Sequence, residues 1–260
     1  MRKVLWVVEC GDVAGFVRKA DLVRAQAVCV RTTNPWLKGQ IKALKKHGLD
    51  VYAWRWPSVD PAASSRHHYA DDEAQFALEL ISEGLDGYIV DPEADDGRAS
   101  DNWNDAKWAN LAVSFCETIK LAGLKSNPHF LFGTTSGCDY PTIKPDIPYA
   151  TFFAYSDAVY PQIYWAPDLK KAHRTNPDDA WTIGMKSWKK VTPAHMRVVP
   201  ILGEIERNTP AEITRFGEIM AENNLTDEVH FYTFADNMTD AKFDAQWDAL
   251  RALGTTPLIA

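Results

Sequence analysis

The apolar run Tyr88-Ile89-Val90 ends in two carboxylates one residue apart, Asp91 and Glu93, with Pro92 between them. Side chains alternate along a strand, so Asp91 and Glu93 point to the same side, roughly 6–7 Å apart at the backbone. Carboxylates paired on that scale cleave glycosidic bonds, one giving a proton to the leaving oxygen while the other supports the developing positive charge. Pro92 has no N–H for a ladder, so the strand is expected to end there. The competing reading is a pair of capping carboxylates at the start of a loop. Asp95 and Asp96 read as solvated loop charges.

Positioning such a pair requires a scaffold of strands. Eight candidates are readable: Val4–Glu9, Ala27–Arg31, Val51–Trp56, Gly87–Asp91, Phe130–Thr134, Ala158–Tyr164, Val198–Leu202 and Val229–Phe234. Several are near-continuous apolar runs, the pattern of strands covered on both faces. Helical spacing falls between them at Trp36–His47, Asp72–Ser82, Trp103–Leu121 and Asp240–Leu253. Thr209-Pro210-Ala211-Glu212 is a helix start with a Thr cap, Pro in the first turn and Glu reaching back, and Asn176-Pro177-Asp178-Asp179 is similar. Strand–helix alternation through 260 residues predicts a single (β/α)8 TIM barrel over residues 1–260. A doubly wound sheet is the alternative, but Glu9-Cys-Gly-Asp-Val-Ala-Gly15 lacks the G-x-G-x-x-G spacing of its phosphate turn.

Barrel enzymes build their sites from the C-terminal ends of strands. Here those ends carry Glu9 and Asp12, Arg31, Trp54-Arg55-Trp56 with Asp60, Asp91 with Glu93, Thr134-Thr-Ser-Gly137, Tyr160-Pro-Gln162-Ile-Tyr164-Trp165, Glu204 with Glu206, and Asp236-Asn237. The lip is acidic and aromatic. Carboxylates suit acid/base work, while Tyr and Trp faces stack on sugar rings and Gln162, Asn237 and Tyr hydroxyls can hold sugar hydroxyls. Basic anchors are few (Arg31, Arg55), which favours a carbohydrate over a phosphate. Trp54, Trp56, Tyr160, Tyr164 and Trp165 are the candidate aromatic contacts, with Gln162 and Glu204 as polar ones. Trp108 and Trp247 fall on helices and read as core.

An alternating β/α chain whose fourth strand ends in Asp-x-Glu resembles the barrel glycoside hydrolases. It is most similar to the lysozyme-like muramidases of glycoside hydrolase family 25, and more distantly to the family-18 chitinases. The resemblance implies Glu93 as proton donor and Asp91 as stabiliser of the oxocarbenium or oxazolinium intermediate. It places Asp236 where the muramidases carry an acidic residue at the end of strand eight. Glu9 stands where they usually carry an Asp. The Tyr160–Trp165 run lies where those enzymes contact sugar. The implied substrate is an N-acetylated polysaccharide such as peptidoglycan or chitin, with no cofactor. Two further readings stay open: a barrel that binds glycan without cleaving it, and a metal-dependent hydrolase with Asp91, Glu93 and Glu204 as oxygen ligands.

Composition narrows the partners. The formal charge is −7, from 28 basic and 35 acidic residues, and no Lys/Arg block suggests nucleic acid. Cys10, Cys29, Cys116 and Cys138 are scattered, without the spacing of a zinc site or a disulfide framework. Neighbouring His67 and His68 cannot face one metal on a regular element, so they read as surface loop. Gly133-Thr-Thr-Ser136-Gly137 has Thr135 where a nucleophile elbow needs its Ser. The first apolar run is too short for a signal peptide and no membrane-length run follows. The expectation is a soluble protein, either cytoplasmic or carried to a cell wall by a partner system.

Overall fold

The computed structural model describes residues 1–62, 68–93, 102–165 and 174–254. Asp95, Asp96 and His67 lie outside them. The strands are β1 (Arg2–Val7), β2 (Ala27–Arg31), β3 (Asp50–Arg55), β4 (Gly87–Val90), β5 (Leu131–Gly137), β6 (Ala158–Ile163), β7 (Arg197–Val198), β8 (Ile201–Leu202) and β9 (Glu228–Phe234). All pair in parallel, with order β5-β4-β3-β2-β1-β9-β8-β6-β7 and a further β5–β6 pairing that closes the sheet. This is a closed eight-stave (β/α)8 barrel. β7 and β8 together form its seventh stave. Pro200, which has no N–H to donate, sits in the break between them.

The helices are α1 (Val13–Val23), α2 (Leu37–Lys46), α3 (Ala70–Ser82), α4 (Ala109–Ser126), α5 (Tyr140–Ile143), α6 (Tyr149–Tyr155), α7 (Pro177–Trp188), α8 (Pro210–Glu222) and α9 (Asp244–Ala252). The two helix starts read from the sequence are present. Thr209 and Glu212 form a reciprocal capping box on α8, and the Asn176 side chain accepts from the Asp179 N–H on α7. α1, α5 and α6 were not expected. α1 buries Gly15, Phe16, Ala20 and Val23, a face with too few large apolar residues to stand out.

Strand alternation sorts side chains into two cores. Val4, Trp6, Ala27, Cys29, Tyr52, Trp54, Ile89, Ala158, Tyr160, Val199 and Ile201 fill the barrel, while their neighbours pack outward under the helices. All four cysteines are free and buried. No helix among the described residues is long and apolar enough to cross a membrane.

Candidate active site at the barrel mouth

Continuing each inward series by one or two steps towards the C-terminal ends of the strands gives the top interior layer. Cys29 leads to Arg31, Trp54 to Trp56, Ile89 to Asp91 and Glu93, Tyr160 to Gln162 and Tyr164, and His230 to Tyr232. This layer forms the mouth of the barrel.

The Asp91–Glu93 segment is pinned through its backbone. The Asp91 N–H donates to the Arg55 carbonyl at 2.8 Å, and the Trp103 N–H donates to the Glu93 carbonyl at 3.0 Å. The Ser136 hydroxyl donates to the Pro92 carbonyl at 3.2 Å. Three bonds from three separate segments fix the backbone that carries the two carboxylates. Asp91 is only 2 % exposed and accepts the side-chain amide of Gln162 at 2.9 Å, whereas Glu93 is half-buried. Burial raises the Asp91 pKa well above its ordinary value, the charge of Glu93 adds to the rise, and the Gln162 bond opposes it. Asp91 is thus enclosed and Glu93 half-buried, close enough that the charge of one bears on the proton of the other.

Aromatic rings form the adjoining wall. Tyr164 and Tyr232 stack at 5.2 Å between centroids with 16° between planes. Burial, then the charges of Asp91, Glu204 and Glu93, push the Tyr232 hydroxyl pKa up, so it stays protonated beside the carboxylates. Gly203 makes room for Tyr164: a β-carbon there would lie 1.9 Å from the ring. Tyr232 and Gly203 were not singled out in the sequence. Glu204 adopts left-handed backbone (φ 44°) and pairs with Arg207, with its charge bearing on both tyrosines.

Two further acidic residues expected at the site, Glu9 and Asp236, are engaged by neighbours. Glu9 is exposed and forms an ion pair with Arg31. Asp236 accepts the backbone N–H groups of Gly11 at 2.8 Å and Asp12 at 3.2 Å, tying the loop after β9 to the loop after β1. Those bonds, Gly11 first, hold its pKa below the ordinary value.

Three expected sugar contacts are corrected by burial. Tyr160 is wholly enclosed inside the barrel, its ring occupying the space that Gly133 leaves. Trp54 is 2 % exposed and donates its indole N–H to the Val7 carbonyl at 3.1 Å, one layer beneath Trp56. Trp165 faces outward, fully buried and stacked on Phe216 at 5.5 Å. None of these rings offers a face to a ligand. Trp56 is half-buried at the mouth, with the Arg31 guanidinium 5.1 Å and the Arg55 guanidinium 5.9 Å from its ring centre. Trp247 is core, as read from the sequence. His68 is not a free loop residue: its Nδ1 lies 2.8 Å from the buried carboxylate of Glu73. Among the described residues no group of three His, Cys, Asp or Glu side chains could hold a metal ion, so Asp91, Glu93 and Glu204 are not such a set.

No family model and no curated protein matches the chain. Solved structures do match. The catalytic domain of a family GH18 chitinase from the fern Peteris ryukyuensis superposes with a TM-score of 0.63 at 10 % identity, covering 98 % of this chain and 100 % of that one. The Bacillus cereus spore cortex-lytic enzyme SleL gives 0.62 at 10 % identity, over 97 % of this chain and 74 % of that one. A putative deoxyribose-phosphate aldolase from Toxoplasma gondii gives 0.53 at 13 % identity, over 98 % and 93 %. The likeness is one of fold. Barrels of this kind carry unrelated chemistries, so function has to be argued from the site.

Proposed function

We propose that this protein is a glycoside hydrolase acting on an N-acetylated polysaccharide of the peptidoglycan or chitin type. The observation that carries the reading is the Asp91–Glu93 pair: two carboxylates at the C-terminal end of β4, held by backbone bonds, one enclosed and the other half-buried beside it.

In this reading Glu93 gives its proton to the glycosidic oxygen as the bond from that oxygen to the anomeric carbon breaks. The acetamido oxygen of the same sugar closes on the anomeric carbon, and the resulting positive charge is shared with the acetamido group. Asp91 accepts the acetamido N–H and stabilises that charge, held in place by Gln162. Water then attacks the anomeric carbon as its bond to the acetamido oxygen breaks, and the water gives a proton to Glu93, with retention of configuration. Tyr164, Tyr232 and Trp56 supply faces for the sugar rings. The chitinase and cortex-lytic barrels among the similar structures are in keeping with this reading.

The test is reducing-end release from peptidoglycan, chitin oligomers, galactosaminoglycan and neutral glucans. Release confined to N-acetylated glycans is the expected result. Binding without release by wild type would favour a glycan-binding barrel, and neither binding nor release would overturn the reading.

A further inference from the structure

The mouth holds one feature that a neutral amino sugar would not require. Arg31 ends β2 and follows Ala27 and Cys29 in the inward series, so its side chain enters the top of the barrel. It is 3 % exposed, lies over Trp56 at 5.1 Å, and its Nε is buried without a hydrogen-bond partner. Among the described residues its carboxylate partner is Glu9, whose side chain is 74 % exposed. A guanidinium taken out of water needs its donors used, and the surface carboxylate of Glu9 leaves the buried Nε without a partner. Arg31 and Asp91 end the two strands that flank β3, where the Thr32 N–H donates to the Trp54 carbonyl and the Asp91 N–H to the Arg55 carbonyl. The cation and the acid pair therefore lie at the same end of the barrel.

We infer that Arg31 is a specificity-determining residue that binds a carboxylate carried by the sugar, and that the preferred substrate is an acidic N-acetylated glycan. This rests on the proposed glycosidase reading. A carboxylate fits a planar fork two atoms to two, and the single negative charge is tolerated in a mouth that also holds Asp91, Glu93 and Glu204, where a phosphate dianion would be repelled. Glu9 occupies the fork in the absence of ligand and is displaced by the substrate anion. The carboxylate could belong to a 3-O-lactyl group or to a uronic acid, and the two are separated by the choice of probe.

The experiment measures binding in the Glu93→Gln background, where turnover does not interfere. The probes are a peptide-free wall-glycan oligomer with its lactyl carboxylate, a uronate-containing N-acetylated oligomer, and each after reduction of the carboxyl to an alcohol. We expect carboxyl reduction of the preferred probe to weaken binding at least 10-fold. Adding Arg31→Gln should erase that difference, and adding Glu9→Gln, which leaves Arg31 in place without its competitor, should widen it. Equal affinity for the acidic and reduced oligomers, or no binding of either at millimolar concentration, would overturn the inference. This holds even if Arg31→Gln fails to fold, because the probe pair is compared on unaltered Arg31. Turnover of neutral N-acetylated oligomers by wild type alongside equal affinities would leave the glycosidase reading standing while this inference fails.

Discussion

The side-chain amide of Gln162 on β6 holds the carboxylate of Asp91 at the end of β4, 2.9 Å away and across the intervening strand β5. The bond joins two staves that do not pair with each other, and it favours the charged form of Asp91 against burial. Replacing Gln162 with Leu should raise the Asp91 pKa further. The pH–rate limb that reports this pair should then move to higher pH. A hydrogen bond to a charged group is worth about 1.5–3 kcal/mol, so kcat/KM should fall roughly 10- to 100-fold. A pH–rate profile of Q162L against wild type measures both effects; an unmoved limb would show that Asp91 does not titrate in the reaction.

Asp91 also sets a stability cost. Its unfolded pKa is near 3.9, and its folded value is raised. The folded state thus binds the proton more tightly, and stability contributed below about pH 3.9 is lost as pH rises towards the folded value. Asp91→Asn does not titrate. It should therefore gain on wild type between pH 4 and pH 7.5, with a Tm advantage of about 2–4 °C for each kcal/mol recovered, while losing turnover. Thermal melts at the two pH values test this, and an equal Tm difference at both would contradict the raised pKa.

His230 lies one layer deeper and behaves in the opposite sense. The Trp6 indole N–H donates to Nδ1 at 2.8 Å, so Nε2 carries the proton and donates to Glu228 at 2.8 Å. Burial lowers the His230 pKa, and the bond to Glu228 only partly offsets it. The folded state holds the ring neutral, so stability is fully present above about pH 6.5 and is lost as pH falls below it. The fall in Tm from pH 7.5 to 5.5 should be shallower in His230→Gln than in wild type.

Close packing around Tyr164 gives a separate expectation. Gly203→Ala would place a β-carbon against the Tyr164 ring, which must swing out of its stack with Tyr232. We expect KM to rise, with overpacking costing about 1–3 kcal/mol of stability. Trp165→Ala, on the outer face, should instead cost about 3–5 kcal/mol of stability with little change in KM. Trp56→Ala should do the reverse. Equal KM effects for Trp165 and Trp56 would contradict the placement of the two rings.

These contrasts show what the sequence could and could not reveal. Asp91 and Glu93 were legible because strand parity and Pro92 fix their side and their position at a strand end. Parity also separates Trp165 from Tyr164: one step along a strand reverses the face, and the aromatic run Tyr164-Trp165 masks that step. Trp54 shares its face with Trp56, but depth inside a barrel depends on how neighbouring strands are staggered, which one strand's pattern does not contain. Tyr232 was hidden in the apolar run of β9, where inward and outward positions look alike. Glu9 and Asp236 have the composition of site residues, yet their bonds to Arg31 and to the β1 loop are set by long-range closure of the barrel. The strands and the longer helices were readable because both periods are local, whereas α1, with few large apolar residues, and the short α5 and α6 were not.

The most direct measurement compares wild type with Glu93→Gln on two N-acetylglucosaminides, one with a sugar leaving group and one with a dinitrophenyl leaving group that departs without protonation. If Glu93 is the general acid, the mutant should lose about 10²-fold or more on the sugar leaving group and far less on the aryl one. An equal loss on both substrates, or full activity on both, would contradict that assignment.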